Sequence, residues 1–215
     1  MPHQQLTQGI LIALEGIDGS GKSTLAHNLF TLLQKKQFDV LLTREPGATA
    51  LGKEIREIIQ HQTIPLCGQA QYLLFAADRA QHFAEVIIPH LQEKKLILSD
   101  RMADSSLAYQ CYGNGLDLAM VRAINKWTMN GITPNITIFV RVPVAIALER
   151  AKNRGALSAY EKQEAFLHKV ADGFEELYKN RSDVIIVDGT QTQESLTYNV
   201  YNAIEQWIKS KNLIS

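Results

Sequence analysis

Between an apolar run, Ile10 to Leu14, and an amphipathic repeat carried by Leu25, Leu29, Leu32 and Leu33, the chain reads Gly16-Ile17-Asp18-Gly19-Ser20-Gly21-Lys22-Ser23-Thr24. No other stretch constrains the fold so strongly. The pattern G-x-x-x-x-G-K-[ST] needs a buried strand before it and a helix after it, and both are indicated here. Glycines let the backbone curl until successive N–H groups converge on one point, and the helix adds its positive N-terminal end. A chain built this way holds phosphate on backbone amides. Lys22 is expected at the outer phosphates of ATP and Ser23 as a hydroxyl ligand to Mg²⁺.

Further apolar runs follow at Val40 to Thr43, Leu96 to Ser99, Ile136 to Val142 and Val184 to Val187. They are rich in Ile, Leu and Val without polar alternation, as strands buried on both faces of a parallel sheet should be. Segments with helical spacing separate them: Tyr72, Phe75, Phe83, Val86 and Ile87 on one face, Val200, Ile204 and Ile208 on another. Repeated strand–helix–strand order predicts an α/β fold with helices on both faces of a parallel sheet and right-handed crossovers. Ligands in such folds bind beyond the carboxyl ends of the strands. The residues to inspect therefore follow Leu14, Thr43, Ser99, Val142 and Val187.

At 215 residues with no linker, repeat or low-complexity tract, residues 1–215 read as one domain. Charge sums to zero, so no global field draws the chain to nucleic acid or an acidic membrane. Cys67 and Cys111 lack metal-ligand spacing and are expected as buried free thiols in a reducing compartment. The N-terminal stretch lacks a basic start and a long apolar run, and nothing approaches the ~20 apolar residues of a membrane span. A cytoplasmic protein is expected.

Among nucleotide-binding classes, a GTPase needs Asn-Lys-x-Asp; the nearest string, Asn125-Lys126-Trp127-Thr128, lacks the carboxylate. Small kinases suit the length better. Four clusters in order carry a more specific signal: Gly16 to Thr24; Thr43-Arg44-Glu45-Pro46-Gly47; Leu74-Phe75-Ala76-Ala77-Asp78-Arg79-Ala80-Gln81-His82; and Asp100-Arg101 with Ser105-Ser106-Leu107-Ala108-Tyr109-Gln110. Together they resemble the thymidylate kinase family, bacterial type, across nearly the whole chain.

The resemblance implies a P-loop NTPase fold with five parallel strands in the order 2-3-1-4-5. It implies transfer of the ATP γ-phosphoryl group to dTMP, giving dTDP and ADP, by a homodimer packed through helices. Phe75 would stack on thymine and Arg79 bond its O4, while Arg101 and Arg44 would hold the acceptor phosphate. Glu45 and Pro46 belong to the same substrate region. Ser105, Ser106, Tyr109 and Gln110 would line the nucleoside, with Tyr109 crowding the sugar 2′ position and Asp18 reaching the 3′-hydroxyl. Asp100, ending an apolar strand, stands where a carboxylate acts near Mg²⁺, through water. Independently of the resemblance, Phe75 and Arg79 share one helix face a turn apart, and guanidinium groups suit phosphate through paired hydrogen bonds.

A lid over ATP is expected at about 150–162, with Arg150 packed on adenine. Many bacterial members carry Asp-Arg where this chain has Ser158-Ala159, and other members place an arginine in the phosphate loop, which has none here. Lys152 and Arg154 are left to neutralise the transferring phosphoryl group, Arg154 taking the main catalytic role. Ala48, Met102, Asn135 and Arg141 also depart from the family pattern; Arg141 either enters the site or pairs with a structural carboxylate. Two other readings stay open: a kinase for another deoxynucleoside monophosphate, and a nucleotide-binding switch with impaired transfer.

Overall fold

The computed structural model describes residues 5–61, 65–153 and 164–214. Five strands, β1 (Ile10–Glu15), β2 (Val40–Arg44), β3 (Leu96–Asp100), β4 (Ile136–Arg141) and β5 (Val184–Asp188), form one sheet in the order β2-β3-β1-β4-β5. All four pairings are parallel. Helices α1 (Lys22–Lys35), α2 (Ala50–His61), α3 (Gly68–His82), α4 (Ile88–Gln92), α5 (Ala103–Ser106), α6 (Leu118–Thr128), α7 (Val144–Asn153), α8 (Glu164–Tyr178) and α9 (Gln193–Ser210) fill the crossovers.

Strand periodicity divides the core. Ile10, Ile12 and Leu14 of β1 face α1 and α9, packing with Leu25, Leu29, Leu33, Val200, Ile204 and Ile208. Leu11 and Ala13 point to the opposite layer with Ile97, Phe83 and Ile87. Beyond them a second cluster joins Phe139 to Phe174, Val170 and Ala147 of α7 and α8. Each fully buried Leu or Ile contributes roughly 1.5–3 kcal/mol, so both helical layers are tied firmly to the sheet.

The continuous apolar reading holds for β1, β3 and β4, which are buried almost throughout, but β2 and β5 are only partly buried. They are the edges, with one neighbour each. The helical face read through Val86 also breaks. The chain passes from α3 into a π-helical turn at Phe83–Ile87, which buries Phe83 and Ile87 and leaves Val86 partly exposed. Asn135 ties β4 to β1 just before β4 begins. Its Oδ1 accepts from the Leu11 N–H, while its own N–H donates to the Leu11 carbonyl. Cys111 is buried as expected, whereas Cys67, preceding α3, is exposed. No helix among the described residues is long and apolar enough to cross a membrane.

The register sets the site. Arg44 lies opposite Asp100, and Asp100 opposite Leu14, so β2, β3 and β1 end together along one rim.

Candidate active site

The first wall of the rim is the turn from β1 into α1. Gly19 and Gly21 hold φ of +80° and +90°, the left-handed region that side chains avoid. A Cβ on Gly19 would lie 2.2 Å from the Ala147 carbonyl oxygen, so the loop is seated against α7 only because that atom is absent. α1 starts without a side-chain cap or an acidic residue in its first turn, leaving its N–H groups and positive end for an anion. Lys22 curls back into the loop, donating from Nζ to the Ile17 carbonyl at 3.2 Å, with Asp18 Oδ1 at 3.8 Å. Burial, with Arg101 nearby, lowers its pKa to about 8 against the opposing pull of Asp18, Asp100 and Glu15. Ser23 and Thr24 are exposed on the same turn.

The second wall is built on Arg101, which follows β3 with a φ of +73°. Its N–H donates to the Leu14 carbonyl at 3.0 Å, tying the turn to β1. Nη1 donates to Ser105 Oγ at 2.8 Å and to the Gly16 carbonyl at 3.3 Å; Nη2 donates to Asp18 Oδ1 and to Tyr109 Oη at 3.4 Å. Tyr109 Oη also accepts the Asp18 N–H at 2.9 Å, and Arg101 lies over the Tyr109 ring. Phosphate loop, arginine and tyrosine therefore form one connected unit. Behind it sits Glu15, fully buried, its pKa raised to about 7 by burial and Asp104 against the favourable contacts of Ser105, Arg101 and the Met102 N–H.

More cations gather beyond β2. Arg44 is exposed, and Arg56 of α2 donates to the Pro46 carbonyl at 3.0 Å. Burial and then the Arg44 charge depress the Arg56 pKa, Arg101 adding to the effect and Asp100 opposing it, so the three arginines and Asp100 share one field. Asp100 Oδ1 is buried without a hydrogen-bond partner, an unsatisfied acceptor facing a cationic rim.

From this rim α3 leads to a buried polar network. Arg79, 2% exposed, donates from Nε to Glu45 Oε2 at 2.8 Å, from Nη1 to Asn125 Oδ1 at 2.7 Å, and from Nη2 to Ser106 Oγ at 3.0 Å and the Met102 carbonyl at 3.3 Å. That accounts for four of its five N–H groups and leaves one on Nη1 without a protein acceptor among the described residues. Glu45 Oε1 takes a further bond from His82 Nδ1 at 3.0 Å, and His82 Nε2 lies 2.7 Å from Thr43 Oγ1. Burial works to raise the Glu45 carboxyl, but Arg79 and His82 outweigh it and hold its pKa below the ordinary carboxylate value. Phe75, one turn before Arg79, is only partly buried and belongs to none of the core clusters. It is a partly exposed aromatic ring and not a core residue.

The comparisons with known proteins match this architecture. The thymidylate kinase family model matches residues 14–200. A thymidylate kinase of Halothermothrix orenii is 39% identical over 202 residues, covering 92% of this chain and 97% of its own. One from Kosmotoga olearia is 41% identical over 189 residues, covering 87% and 91% respectively. The chain belongs to the thymidylate kinase family. The crystal structure of thymidylate kinase from Ehrlichia chaffeensis superposes with a TM-score of 0.75 at 30% identity, covering 92% of this chain and 99% of that one. The sheet order expected from the resemblance is the order observed.

Within this member of the thymidylate kinase family, most residues singled out in the sequence converge. Asp18, Ser105 and Tyr109 each touch Arg101, Asp18 also touches Tyr109, and Arg79 touches Glu45 and Ser106. Glu45 spends its carboxylate on Arg79 and His82 inside the protein, and Gln110 is buried. Arg150 braces the loop from α7, donating to the Gly189 carbonyl at 2.8 Å and the Ser20 carbonyl at 3.3 Å. Lys152 is exposed at the end of α7. Arg154 and the rest of the expected lid lie outside the described residues. Of the two readings of Arg141, the carboxylate partner is the one seen. It forms a paired contact with Glu175, Nε to Oε1 at 2.7 Å and Nη2 to Oε2 at 2.5 Å, out in solvent.

Four contributors went unread in the sequence: Glu15, Arg56, Asn125 and the role of His82 in the network. Only His82 had a local signal, lying three residues after Arg79 on the same helical face.

Proposed function

We propose that the chain is an ATP:dTMP phosphotransferase, moving the γ-phosphoryl group of ATP onto the phosphate of dTMP to give ADP and dTDP. The observation that carries this reading is the meeting, on one rim, of a backbone anion cradle and a guanidinium cluster, coupled through Asp18. Two anionic groups brought there would face each other end to end.

On this reading the triphosphate lies on the amides of Gly16, Ile17, Asp18, Gly19, Ser20, Gly21, Lys22, Ser23 and Thr24, with Lys22 at its outer phosphates and Arg150 beside adenine. The acceptor phosphate lies against Arg101, Arg44 and Arg56. Thymine rests on Phe75, and the remaining Nη1–H of Arg79 donates to its O4 while Ser106 and Asn125 hold that guanidinium in place. Tyr109 and Asp18 border the deoxyribose. An acceptor phosphate with a second pKa of about 6 is already anionic at neutral pH, so no general base is needed. One of its oxygens attacks the γ-phosphorus in line, and the bond to the β–γ bridging oxygen breaks. The protein's work is alignment and charge stabilisation.

The donors present fit Mg²⁺. Asp100 offers a buried oxygen with no partner and Ser23 an exposed hydroxyl, and Mg²⁺ takes one or two carboxylates plus substrate phosphates in such sites. When bound there it would neutralise charge between the outer phosphates. The same reading includes one kinase domain with a lid at about 150–162, Arg154 and Lys152 as lid cations, a homodimer and a cytoplasmic setting. Arg154→Ala should cut turnover sharply, and near-normal turnover would remove Arg154 from the mechanism.

A coupled ADP-release assay over dTMP, dUMP, dCMP, dGMP and AMP tests the function. Turnover with dTMP well above the others is expected. Preference for a different acceptor would reassign the substrate, and no turnover with any would favour a binding module.

A further inference from the structure

Glu15 does not line the rim, yet three hydrogen bonds run from the turn after β3 into its carboxylate. Oε1 accepts the backbone N–H groups of Met102 at 2.8 Å and Ser105 at 3.2 Å, and Oε2 accepts the Ser105 hydroxyl. These bonds flank Arg101, whose φ of +73° is uncommon for a residue that bears a side chain. The Ser99 hydroxyl, donating to the Arg101 carbonyl at 2.8 Å, completes the restraint.

While Glu15 is ionised, the hydrogen-bond direction through Ser105 is fixed. A carboxylate only accepts and a guanidinium only donates, so the single hydroxyl proton of Ser105 goes to Glu15 and its lone pair faces Arg101 Nη1. An apolar residue at position 15 would leave that proton without its acceptor and free the hydroxyl to rotate away from its bond with Arg101. Keeping a fully buried carboxylate here is costly to the fold, and its contacts all serve one turn.

We infer that Glu15 is a positioning residue, holding the Arg101 guanidinium at the acceptor-phosphate site through an ordered Glu15–Ser105–Arg101 hydrogen-bond chain. This rests on the assignment of Arg101 to the phosphate of dTMP. Glu15→Gln keeps an oxygen for both backbone N–H groups but presents an N–H₂ to Ser105, which takes away the acceptor of the Ser105 hydroxyl proton without removing the clamp.

Steady-state kinetics on Glu15→Gln, Ser105→Ala, Ser105→Thr, the Glu15→Gln/Ser105→Ala pair and Arg101→Ala test it, with thermal melts for folding. Glu15→Gln and Ser105→Ala should each raise KM for dTMP about tenfold, the order expected for one charge-assisted hydrogen bond, with KM for ATP within about twofold. The double variant should be no worse than the worse single, and Ser105→Thr, which restores the hydroxyl, should recover most of the loss. Effects that multiply in the double variant, or equal changes in both KM values, would overturn the inference. If Glu15→Gln does not fold, the serine pair decides: an unchanged KM for dTMP in Ser105→Ala overturns it. Should Arg101→Ala itself leave KM for dTMP unaltered, the assignment of Arg101 fails; should it raise KM while the other variants do not, only the chain from Glu15 fails.

Discussion

Replacing Glu45 by Gln removes a charge and little else, which isolates what the buried pair contributes. Side chains of Glu45 and Arg79 are 3% and 2% exposed, so solvent does not screen the interaction. Losing one member of a buried ion pair costs about 3–5 kcal/mol, because the other charge is left uncompensated. The amide oxygen of Gln can still accept from Arg79 Nε, placing the expectation near the lower end, about 3 kcal/mol. For a chain of this size each kcal/mol moves Tm by about 2–4 °C, so the melt should shift down by about 6–12 °C.

Urea unfolding at pH 7.5 of wild type, Glu45→Gln, Arg79→Met and the double variant gives the coupling directly. The double variant should lose less than the sum of the singles by at least about 1.5 kcal/mol, since removing both charges removes the penalty. The sign with pH is also set. The Glu45 pKa lies below 4.5 in the folded protein, so its contribution is fully present above 4.5 and is lost as pH falls through the folded value. Wild type and Glu45→Gln should therefore converge in acid. A Tm shift under 2 °C, additive singles, or a gap that widens in acid would refute the reasoning.

Three further outcomes follow. Lys22→Ala should lower kcat/KM for ATP by about 10²–10³-fold, and wild type should lose kcat/KM for ATP as pH rises through about 8, where free Lys22 discharges; Lys22→Arg should abolish that alkaline limb. Gly19→Ala should destabilise the protein by about 2 kcal/mol or more in chemical denaturation, since it forces a strained φ and meets the Ala147 carbonyl. Arg141→Ala should change stability by less than about 1 kcal/mol and turnover by less than about twofold, because its partner Glu175 is out in solvent.

What was legible in the sequence were the features that repeat or lie close together. β1, β3 and β4 were readable because both faces are buried, while β2 and β5, as edges, blur the same signal. The phosphate loop was readable because its glycines, lysine and helix are contiguous. Sheet order came with the resemblance and not from the strands themselves. Glu15 was invisible because its partners lie 87 and 90 residues away, and Asn125 because it meets Arg79 across 46. Arg56 sits on an ordinary amphipathic helix, and only the fold brings it beside Arg44 and Arg101. Arg141 was ambiguous for the same reason: its partner is 34 residues on, on a helix whose angle to β4 no local pattern sets.

A crystal of the protein with dTMP and a non-hydrolysable ATP analogue tests the central claim most directly. Thymine should lie on Phe75 with O4 at Arg79, its phosphate at Arg101, and the triphosphate on the amides of Gly16 to Thr24, the two phosphate ends facing each other. Thymine bound away from Phe75 and Arg79, or the two nucleotides on separate faces, would contradict it.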